Sequence, residues 1–261
     1  MNYSYWIKQN EPPKTDLEWN FPEQKSGTVA VIGGSSSAFS ATAKIAEYLT
    51  SSYPIKNVET YLPNSLRGKV PPMPGINFVP STESGSIAKS GELNSALLAA
   101  DFGLFSGELS KNSATTIAAV EAIKGATCPI LLARDAVDLV TPEISAIIEG
   151  RKLFLLASTA QLQKVFRSLL YPKMILLTQP IMPMVETLHK FTLSYDECTI
   201  ITYHQGQIIV AGGGKVVTIP LEKTKYSALT FFTGTLPATL LAYNLWNPNL
   251  PLDASVSAIF K

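Results

Sequence analysis

From residue 28 onward, short apolar segments alternate with segments whose apolar residues have helical spacing. The apolar segments contain no polar alternation, so each predicted strand is buried on both faces. Strands of this kind are typical of parallel sheets, because the helix that joins two parallel strands covers one face of the sheet. The alternation therefore predicts an α/β fold of three layers, with a mostly parallel central sheet and helices on both faces.

The same alternation places the elements along the chain. We predict strands at 28–32, 58–62, 102–106, 129–133, 153–157 and 174–177. We predict helices at 38–49, 92–99, 114–123, 142–149, 161–169 and 182–189. Residues 63–86 contain five prolines and three glycines and are predicted to form a long loop at the end of a strand.

Beyond residue 190 the pattern changes to three short strand candidates, at 199–203, 207–211 and 216–220. Short glycine-containing turns separate them. Such turns join antiparallel strands, so we expect an antiparallel edge near the C-terminus. A last apolar helix is predicted at 237–245, with a proline in its first turn.

The composition excludes several classes of protein. Hydrophobic residues make up 46% of the 261 residues and charged residues 16%, against about 25% charged in an average soluble domain. A disordered chain is excluded, and we expect a single α/β domain over residues 27–261. The formal net charge of +1 provides no electrostatic basis for binding nucleic acid or an anionic membrane.

Two further features bear on the compartment. The first residues lack the apolar region of a signal peptide, and no apolar stretch reaches the roughly 18 residues of a spanning helix. Cys128 and Cys198 lie far apart in apolar segments, which is typical of buried thiols in a reducing compartment. We therefore expect a cytoplasmic protein.

Residues 1–26 differ from the rest of the chain. They carry Tyr3, Tyr5, Trp6, Trp19 and Phe21 among prolines and charges, with neither helical nor alternating spacing. The sequence predicts an irregular, aromatic N-terminal arm. Aromatic side chains in such an arm pack onto a neighbouring surface, either of the same chain or of a second subunit in a homo-oligomer, and the first alternative is favoured.

The turn Gly33-Gly34-Ser35 follows the first predicted strand of the domain. Its small residues allow close backbone approach, and ligands of open α/β sheets bind at the carboxyl ends of strands. The alternative is a tight turn into a packed helix. The turn matches neither the P-loop nor the dinucleotide-binding glycine pattern, so a Rossmann-type oxidoreductase is disfavoured.

A second turn, Thr233-Gly234-Thr235, precedes the last predicted helix. The N–H groups of Gly234, Thr235 and Leu236 would point along the helix dipole toward a phosphate. The alternative is an ordinary N-cap made by Thr233 or Thr235.

A third candidate lies at the end of the strand predicted at 129–133, where Arg134 is followed by Asp135 and Asp138. Carboxylates at this place are candidates for acid–base chemistry, as is Glu108 at the end of another strand. The alternative is a helix start in which Arg134 pairs with Asp138. The two histidines, His189 and His204, have no Cys or Asp at metal-ligand spacing, so no metal site is predicted.

Taken in order, a strand followed by Gly-Gly-Ser, a mid-chain strand ending in Asp-Ala-Val and a Thr-Gly turn before a late helix resemble the ribokinase-like superfamily. The resemblance is closest to the ADP/ATP-dependent NAD(P)H-hydrate dehydratases, which are related to carbohydrate kinases. It covers residues 27–244. It implies a ribokinase-like fold, ATP or ADP as cofactor, an NAD(P)H-type ligand, and Mg²⁺ without a dedicated site in the sequence; the expected partner is a small phosphate-bearing molecule.

The family's opening turn is matched by Gly33, Gly34 and Ser35. Its G-T-G-D motif falls on residues 232–235, where Thr233 and Gly234 match. These five residues, with Thr235, are the nucleotide- or phosphate-binding residues that the resemblance implies.

Other positions of the family motifs are lost. Of D-A-D-A-L, only Asp135 and Ala136 match; nothing of T-P-H-P-G-E remains near 157–161, and the late lysine-glycine pair is absent at 203–204. Thr235 stands where the family has its catalytic aspartate. A threonine hydroxyl does not accept a proton near neutral pH, and a positioned acid–base group contributes typically 10²–10⁴-fold in rate.

Two functions follow from this pattern. The first is a nucleotide-dependent lyase or small-molecule kinase whose acid–base group has been rebuilt, with Asp135 as the substitute base. The second is a pseudoenzyme that keeps the fold and the anion site and acts as a binding or assembly module.

Overall fold

The computed structural model describes residues 4–13, 21–71 and 74–261. Within these residues, ten strands form one sheet in the order β1-β10-β9-β8-β7-β6-β5-β2-β3-β4. The strands are β1 (Trp6–Lys8), β2 (Ser26–Ile32), β3 (Ile55–Pro63), β4 (Ile76–Val79), β5 (Phe102–Phe105), β6 (Ile130–Ala133), β7 (Leu153–Leu156), β8 (Cys198–His204), β9 (Gln207–Gly212) and β10 (Lys215–Pro220).

Helices cover both faces of the sheet, each above its own apolar core. One face carries α2 (Gly91–Ala99), α3 (Ser113–Gly125), α4 (Asp135–Val140), α5 (Thr159–Ser168) and α6 (Ile181–Ser194). The other face carries α1 (Ser40–Ser52), α7 (Thr230–Thr233), α8 (Leu236–Trp246) and α9 (Pro251–Phe260). The predicted three-layer α/β architecture is confirmed.

Among the strands described, β9 alone runs against the others; it pairs antiparallel with β8 and β10. The antiparallel pairing expected near the C-terminus is therefore confirmed. Because β10 again runs parallel to the body of the sheet, nine strands end at one common edge, which we call the carboxyl edge. Strand β2 pairs with β3 on one side and β5 on the other, so the order of winding reverses at β2. Ligands of open α/β sheets bind at such a reversal.

Part of the N-terminal arm is a strand, contrary to the prediction of an irregular segment. Trp6–Lys8 pairs in parallel with Val216, Val217 and Thr218 of β10 and so is an outermost strand of the sheet. Three residues are too few to show an alternating pattern, so no strand could be predicted here from residue spacing.

The aromatic residues of the arm pack onto their own chain. The Tyr5 ring stacks on His189 with 3.7 Å between ring centroids. The Trp6 indole N–H donates to Thr218 Oγ1 at 3.0 Å. Phe21 contacts Tyr243 and Trp246, each at 4.9 Å between centroids. Tyr3 and Trp19 lie outside the described residues.

Three other predictions were wrong in detail. Residues 174–177 form no strand: the position beside β7 is taken by β8, and Met174 and Leu177 are more than half exposed. Residues 63–86 contain a strand, β4, besides loop. The helix expected at 142–149 begins earlier, as α4, and continues only as a 3-10 turn over Thr141–Ala146.

Both cysteines are buried with free thiols, and burial raises the pKa of Cys128 to about 11 and of Cys198 to about 12. They are protonated at neutral pH. Across residues 4–13, 21–71 and 74–261, no helix has the length and hydropathy needed to cross a bilayer.

Candidate functional site at the carboxyl edge

Helix α8 is oriented with its first turn toward the carboxyl edge. At the opposite edge, where β2 begins, a Cβ on Gly27 would lie 3.1 Å from Leu245 near the end of α8. Eleven residues span about 16 Å. Since α8 packs along β5, β6 and α1, that length carries its N-terminus toward the other edge of the sheet. The chain also reaches α7 and α8 from Pro220, which ends β10 at the carboxyl edge.

The backbone donors at the start of α8 are not all free. The Gly234 N–H donates to the Thr230 carbonyl at 2.9 Å, so this group is already paired, and Pro237 has no N–H. The N–H groups of Thr235 and Leu236 bond to no described residue. Of the three N–H groups expected to point toward a phosphate, two are therefore unpaired among the described residues, at the positive end of a helix dipole.

The N-cap alternative is not what the structure shows. Thr235 occupies the N-cap position, but its side chain makes no capping hydrogen bond. The Thr233 hydroxyl donates instead to the Leu229 carbonyl at 2.8 Å. Thr235 is half-buried, and its side chain is not needed to hold the helix start.

A cleft of about 590 Å³ lies at the carboxyl end of β10. Its lining includes the β8–β9 turn at Gly206, the end of β10 at Pro220, and the segment that follows. The ring of Tyr226, which lines the cleft, packs edge-on against Phe231 of α7, with 6.1 Å between centroids. Burial raises the pKa of Tyr226 to about 12, so its phenol is neutral. The contact between Tyr226 and Phe231 thus links the lining of the cleft to α7, which precedes the start of α8 in the chain.

Gly33 is held by close packing of backbone against backbone. A Cβ at Gly33 would lie 2.0 Å from the carbonyl oxygen of Ser106, just beyond β5. The Thr42 hydroxyl of α1 donates to the same oxygen at 3.1 Å. Glycine is therefore required at this position for the fold itself.

The rest of this turn is largely engaged in internal hydrogen bonds. Ser35 and Ala38 exchange backbone hydrogen bonds of 2.8 and 3.1 Å, and the Ser36 N–H donates to Gly85 at 2.8 Å. Gly34 has a φ of +89°, which favours glycine. These contacts match the alternative of a tight packed turn; ligand binding by Gly33, Gly34 and Ser35 stays a prediction.

Charged residues follow the ends of β5 and β6. The Arg134 guanidinium lies 4.0 Å from a Glu108 carboxylate oxygen. The expected pairing of Arg134 with Asp138 is wrong, because Asp138 is bound by Lys164 at 2.6 Å and Gln161 at 3.0 Å. Burial alone would raise the pKa of Asp138, but these two hydrogen bonds and the positive charges of Lys111 and Lys164 together hold the pKa below its usual value. The Asp135 carboxylate, half-buried at the first turn of α4, makes no hydrogen bond or ion pair with a described residue.

The position of the lost T-P-H-P-G-E motif has a structural role here. Ser158 and Gln161 form a capping box at the start of α5, with bonds of 3.0 and 3.2 Å.

Both histidines form hydrogen bonds with backbone carbonyl groups: His204 contacts the Gln179 carbonyl at 2.7 Å, and His189 contacts that of Gly214. No group of three or more His, Cys, Asp or Glu in the described part of the chain is arranged to hold a metal ion.

No protein-family model and no curated protein sequence matches this chain. Solved structures do match its architecture. A ribokinase-like superfamily protein from Enterococcus faecalis superposes with a TM-score of 0.62 at 12% identity, over 99% of this chain and 87% of that one. The chain has a ribokinase-like fold.

Two further structures agree with this. A hypothetical protein from Streptococcus mutans gives a TM-score of 0.60 at 14% identity, over 94% of this chain and 85% of that one. Bacillus subtilis pyridoxal kinase, solved as an ADP complex, gives 0.51 at 13% identity, over 89% of each chain. At such identities the similarity concerns the fold, and it does not single out the NAD(P)H-hydrate dehydratases within it.

The backbone conformation of Arg134 and the hydrogen bond to its carbonyl could not be predicted from the sequence. Its φ of +56° is rare for a residue with a side chain, and Gln161 Nε2 donates to its carbonyl at 2.9 Å. No pattern of neighbouring residues predicts a positive φ at an arginine. The capping-box spacing of Ser158 and Gln161 was present in the sequence and would have placed the start of α5.

The contact at Gly33 generates a stability prediction. Gly33→Ala is expected to lower the free energy of unfolding by about 2–3 kcal/mol, because the new Cβ forces β2 and the end of β5 apart. Gly91→Ala is the matched control, since nothing lies within 4 Å of its Cβ; we expect a change within about 1 kcal/mol in the stabilising direction. Urea unfolding measures both. Equal stability of Gly33→Ala and the unmodified chain would contradict the contact.

Proposed function

We propose that this chain is a carbohydrate-kinase-like or other small-molecule-kinase-like protein that binds a nucleotide or another phosphate ligand at the start of α8. The proposal is carried by one observation: the N–H groups of Thr235 and Leu236 have no described partner, although they lie at the positive end of a helix otherwise buried in the core. Unpaired amides at a helix N-terminus favour an anion.

The surroundings of this turn fit a nucleotide. The phosphates would accept hydrogen bonds from the two amides. We place the base and sugar in the cleft lined by Gly206, Pro220 and Tyr226, since Tyr226 contacts Phe231 of α7. Gly234 allows the backbone of this turn to form, since a Cβ there would lie 2.8 Å from the Thr230 carbonyl oxygen and would displace the turn. ATP or ADP is therefore the preferred ligand, and one structural neighbour was solved with ADP.

Within this proposal, the finer reading is a divergent NAD(P)H-hydrate dehydratase-like enzyme. It draws support from the order of the sequence motifs. In place of the family aspartate the chain presents Thr235, so proton transfer falls to another group. Asp135 is the candidate, because its carboxylate is unpaired and lies at the same edge of the sheet.

The second proposal is a pseudoenzyme that binds the same ligand without turnover. The replacement at Thr235 favours it, as do the structural roles of Ser158 and Gln161 at a lost motif position. Self-assembly through the N-terminal arm loses support, because Tyr5, Trp6 and Phe21 pack onto their own chain. Exposed Leu170, Met174 and Leu177 offer an alternative contact surface for a homo-oligomer.

Thermal unfolding with ADP, ATP, NADH and NADPH tests binding, and two variants test the amides. Ligand at about 100 times its dissociation constant should add roughly 2.7 kcal/mol of stability. Thr235→Pro removes one free N–H without breaking a described hydrogen bond, and we expect about tenfold weaker nucleotide binding. Thr235→Ala keeps the N–H and serves as the control. The proposal fails if no nucleotide shifts the midpoint, or if both variants bind equally well.

Restoring the family residue should restore catalysis. Thr235→Asp places a carboxylate at the helix N-terminus, where the dipole stabilises it. With ATP or ADP and hydrated NADH, we expect the rate of NADH recovery to rise about 10²–10⁴-fold over the unmodified chain. Thr235→Asn has the same shape without the base and should leave the rate unchanged. Equal rates for the two variants would exclude a dehydratase site at this turn.

Any activity of the unmodified chain tests the role of Asp135. Asp135→Asn is expected to abolish it, because the amide cannot accept the proton, while the thermal shift with ADP persists. Full activity of Asp135→Asn would rule out the substitute base. A chain with no activity but an intact ADP shift would favour the pseudoenzyme.

A further inference from the structure

Arg134 occupies an unusual place between β6 and α4. Its backbone has φ +56° and ψ −129°, a conformation that glycine adopts readily and residues with a side chain rarely do. Strained residues of this kind persist where the surroundings hold them, and they cluster at binding sites. Here the holding contact is the hydrogen bond from Gln161 Nε2 to the Arg134 carbonyl, at 2.9 Å.

The charged groups around this point are incompletely paired. The guanidinium reaches Glu108 only at 4.0 Å, with 26% of the Arg134 side chain and 23% of the Glu108 side chain exposed. The other Glu108 carboxylate oxygen, Oε2, is buried without a partner in the described residues. Asp135 has no described partner either. A fully buried hydroxyl, that of Ser106 at the end of β5, is likewise unpartnered.

These groups are brought together by the sheet. Strands β5 and β6 are adjacent and in register, with Phe105 opposite Leu132, so Glu108 and Arg134 follow neighbouring strand ends. The site also lies next to β2, where the order of winding reverses. Small ligands of open α/β sheets bind at this place.

We propose that Glu108, Arg134 and Asp135 form a binding subsite for a small molecule that carries both a protonated amine and an anionic group, either carboxylate or phosphate. This inference deepens the proposed function, because it names the class of the second substrate of the kinase-like site.

The charges of the three residues select this class. A guanidinium pairs with a carboxylate or phosphate through two parallel hydrogen bonds. Two carboxylates, those of Glu108 and Asp135, accompany the one guanidinium, so a ligand that is only an anion would leave a carboxylate without a cationic partner. An ammonium group of the ligand would pair with the carboxylates, and an anionic group would pair with the Arg134 guanidinium. A molecule that carries both groups therefore provides a partner for all three residues.

The experiment uses matched probes on the full chain at neutral pH, measured by calorimetry. Glucosamine 6-phosphate is compared with glucose 6-phosphate, which lacks the amine, and with glucosamine, which lacks the phosphate. A panel of L-amino acids is compared with the N-acetyl derivatives. We expect at least one zwitterion to bind tenfold or more tightly than its controls; the phosphate and carboxylate arms show which anion the subsite takes. If no zwitterion exceeds its controls, the inference is overturned.

Two variants separate binding from folding. Arg134→Gly removes the guanidinium and relieves the backbone, so we expect a higher unfolding midpoint together with about 10–100-fold weaker zwitterion binding. A lower midpoint, or unchanged binding, would overturn the inference, because Arg134 would then serve the fold alone. Glu108→Gln should weaken binding of the zwitterion while leaving binding of glucose 6-phosphate no weaker.

The thermal shift with ADP distinguishes this inference from the proposed function. An ADP shift that persists in Arg134→Gly, with zwitterion binding lost, supports both. An ADP shift without zwitterion binding to the unmodified chain overturns the subsite and leaves the nucleotide proposal standing. Zwitterion binding without an ADP shift overturns the nucleotide proposal and leaves the subsite standing.

Discussion

Burial of α8 on all sides is the constraint on which the site depends. Residues from Leu236 to Asn244 are buried, and they pack against β2, β5, β6 and α1 in one apolar core. A helix that is apolar all round has a single stable place, inside the protein. Its first turn is thereby fixed at the carboxyl edge, and the direction of its unpaired amides follows from the packing.

The carboxyl edge collects groups with different physical roles. Gly33 allows the ends of β2 and β5 to approach, and Asp138 ties α4 to α5; both stabilise the fold. The polar groups of Arg134, Glu108 and Asp135 are unpaired or only distantly paired in the described residues, and the side chain of Thr235 makes no capping hydrogen bond. Natural proteins tolerate the loss of stability from such unpaired polar groups mainly where the groups serve binding.

Much of the fold followed from periodicity alone. The segments around β5, β6 and β7 are continuously apolar, and the structure places all of them in the buried parallel body. Residues 174–177 have the same composition but form no strand, because β8 already pairs with β7. The composition of a segment does not indicate whether another strand already occupies the neighbouring position in the sheet. Trp6–Lys8 shows the converse: its partner, β10, lies more than 200 residues further along the chain.

The site was accessible to sequence reasoning only in part. The Thr-Gly turn before the last helix could be found from its residue types, but the hydrogen bond that pairs the Gly234 N–H could not. The pairing of Arg134 with Glu108 joins two strand ends, so no spacing rule predicts it. Contacts between distant segments are set by the sheet order, which the sequence indicates only as a class.

The most direct test of the account is an NMR titration of the backbone amides with ADP. If the phosphates lie at the start of α8, the N–H resonances of Thr235 and Leu236 shift strongly downfield, because each gains a charged acceptor. The Gly234 resonance, already hydrogen-bonded to Thr230, should move much less. A saturable ADP response that leaves Thr235 and Leu236 unmoved would contradict the account.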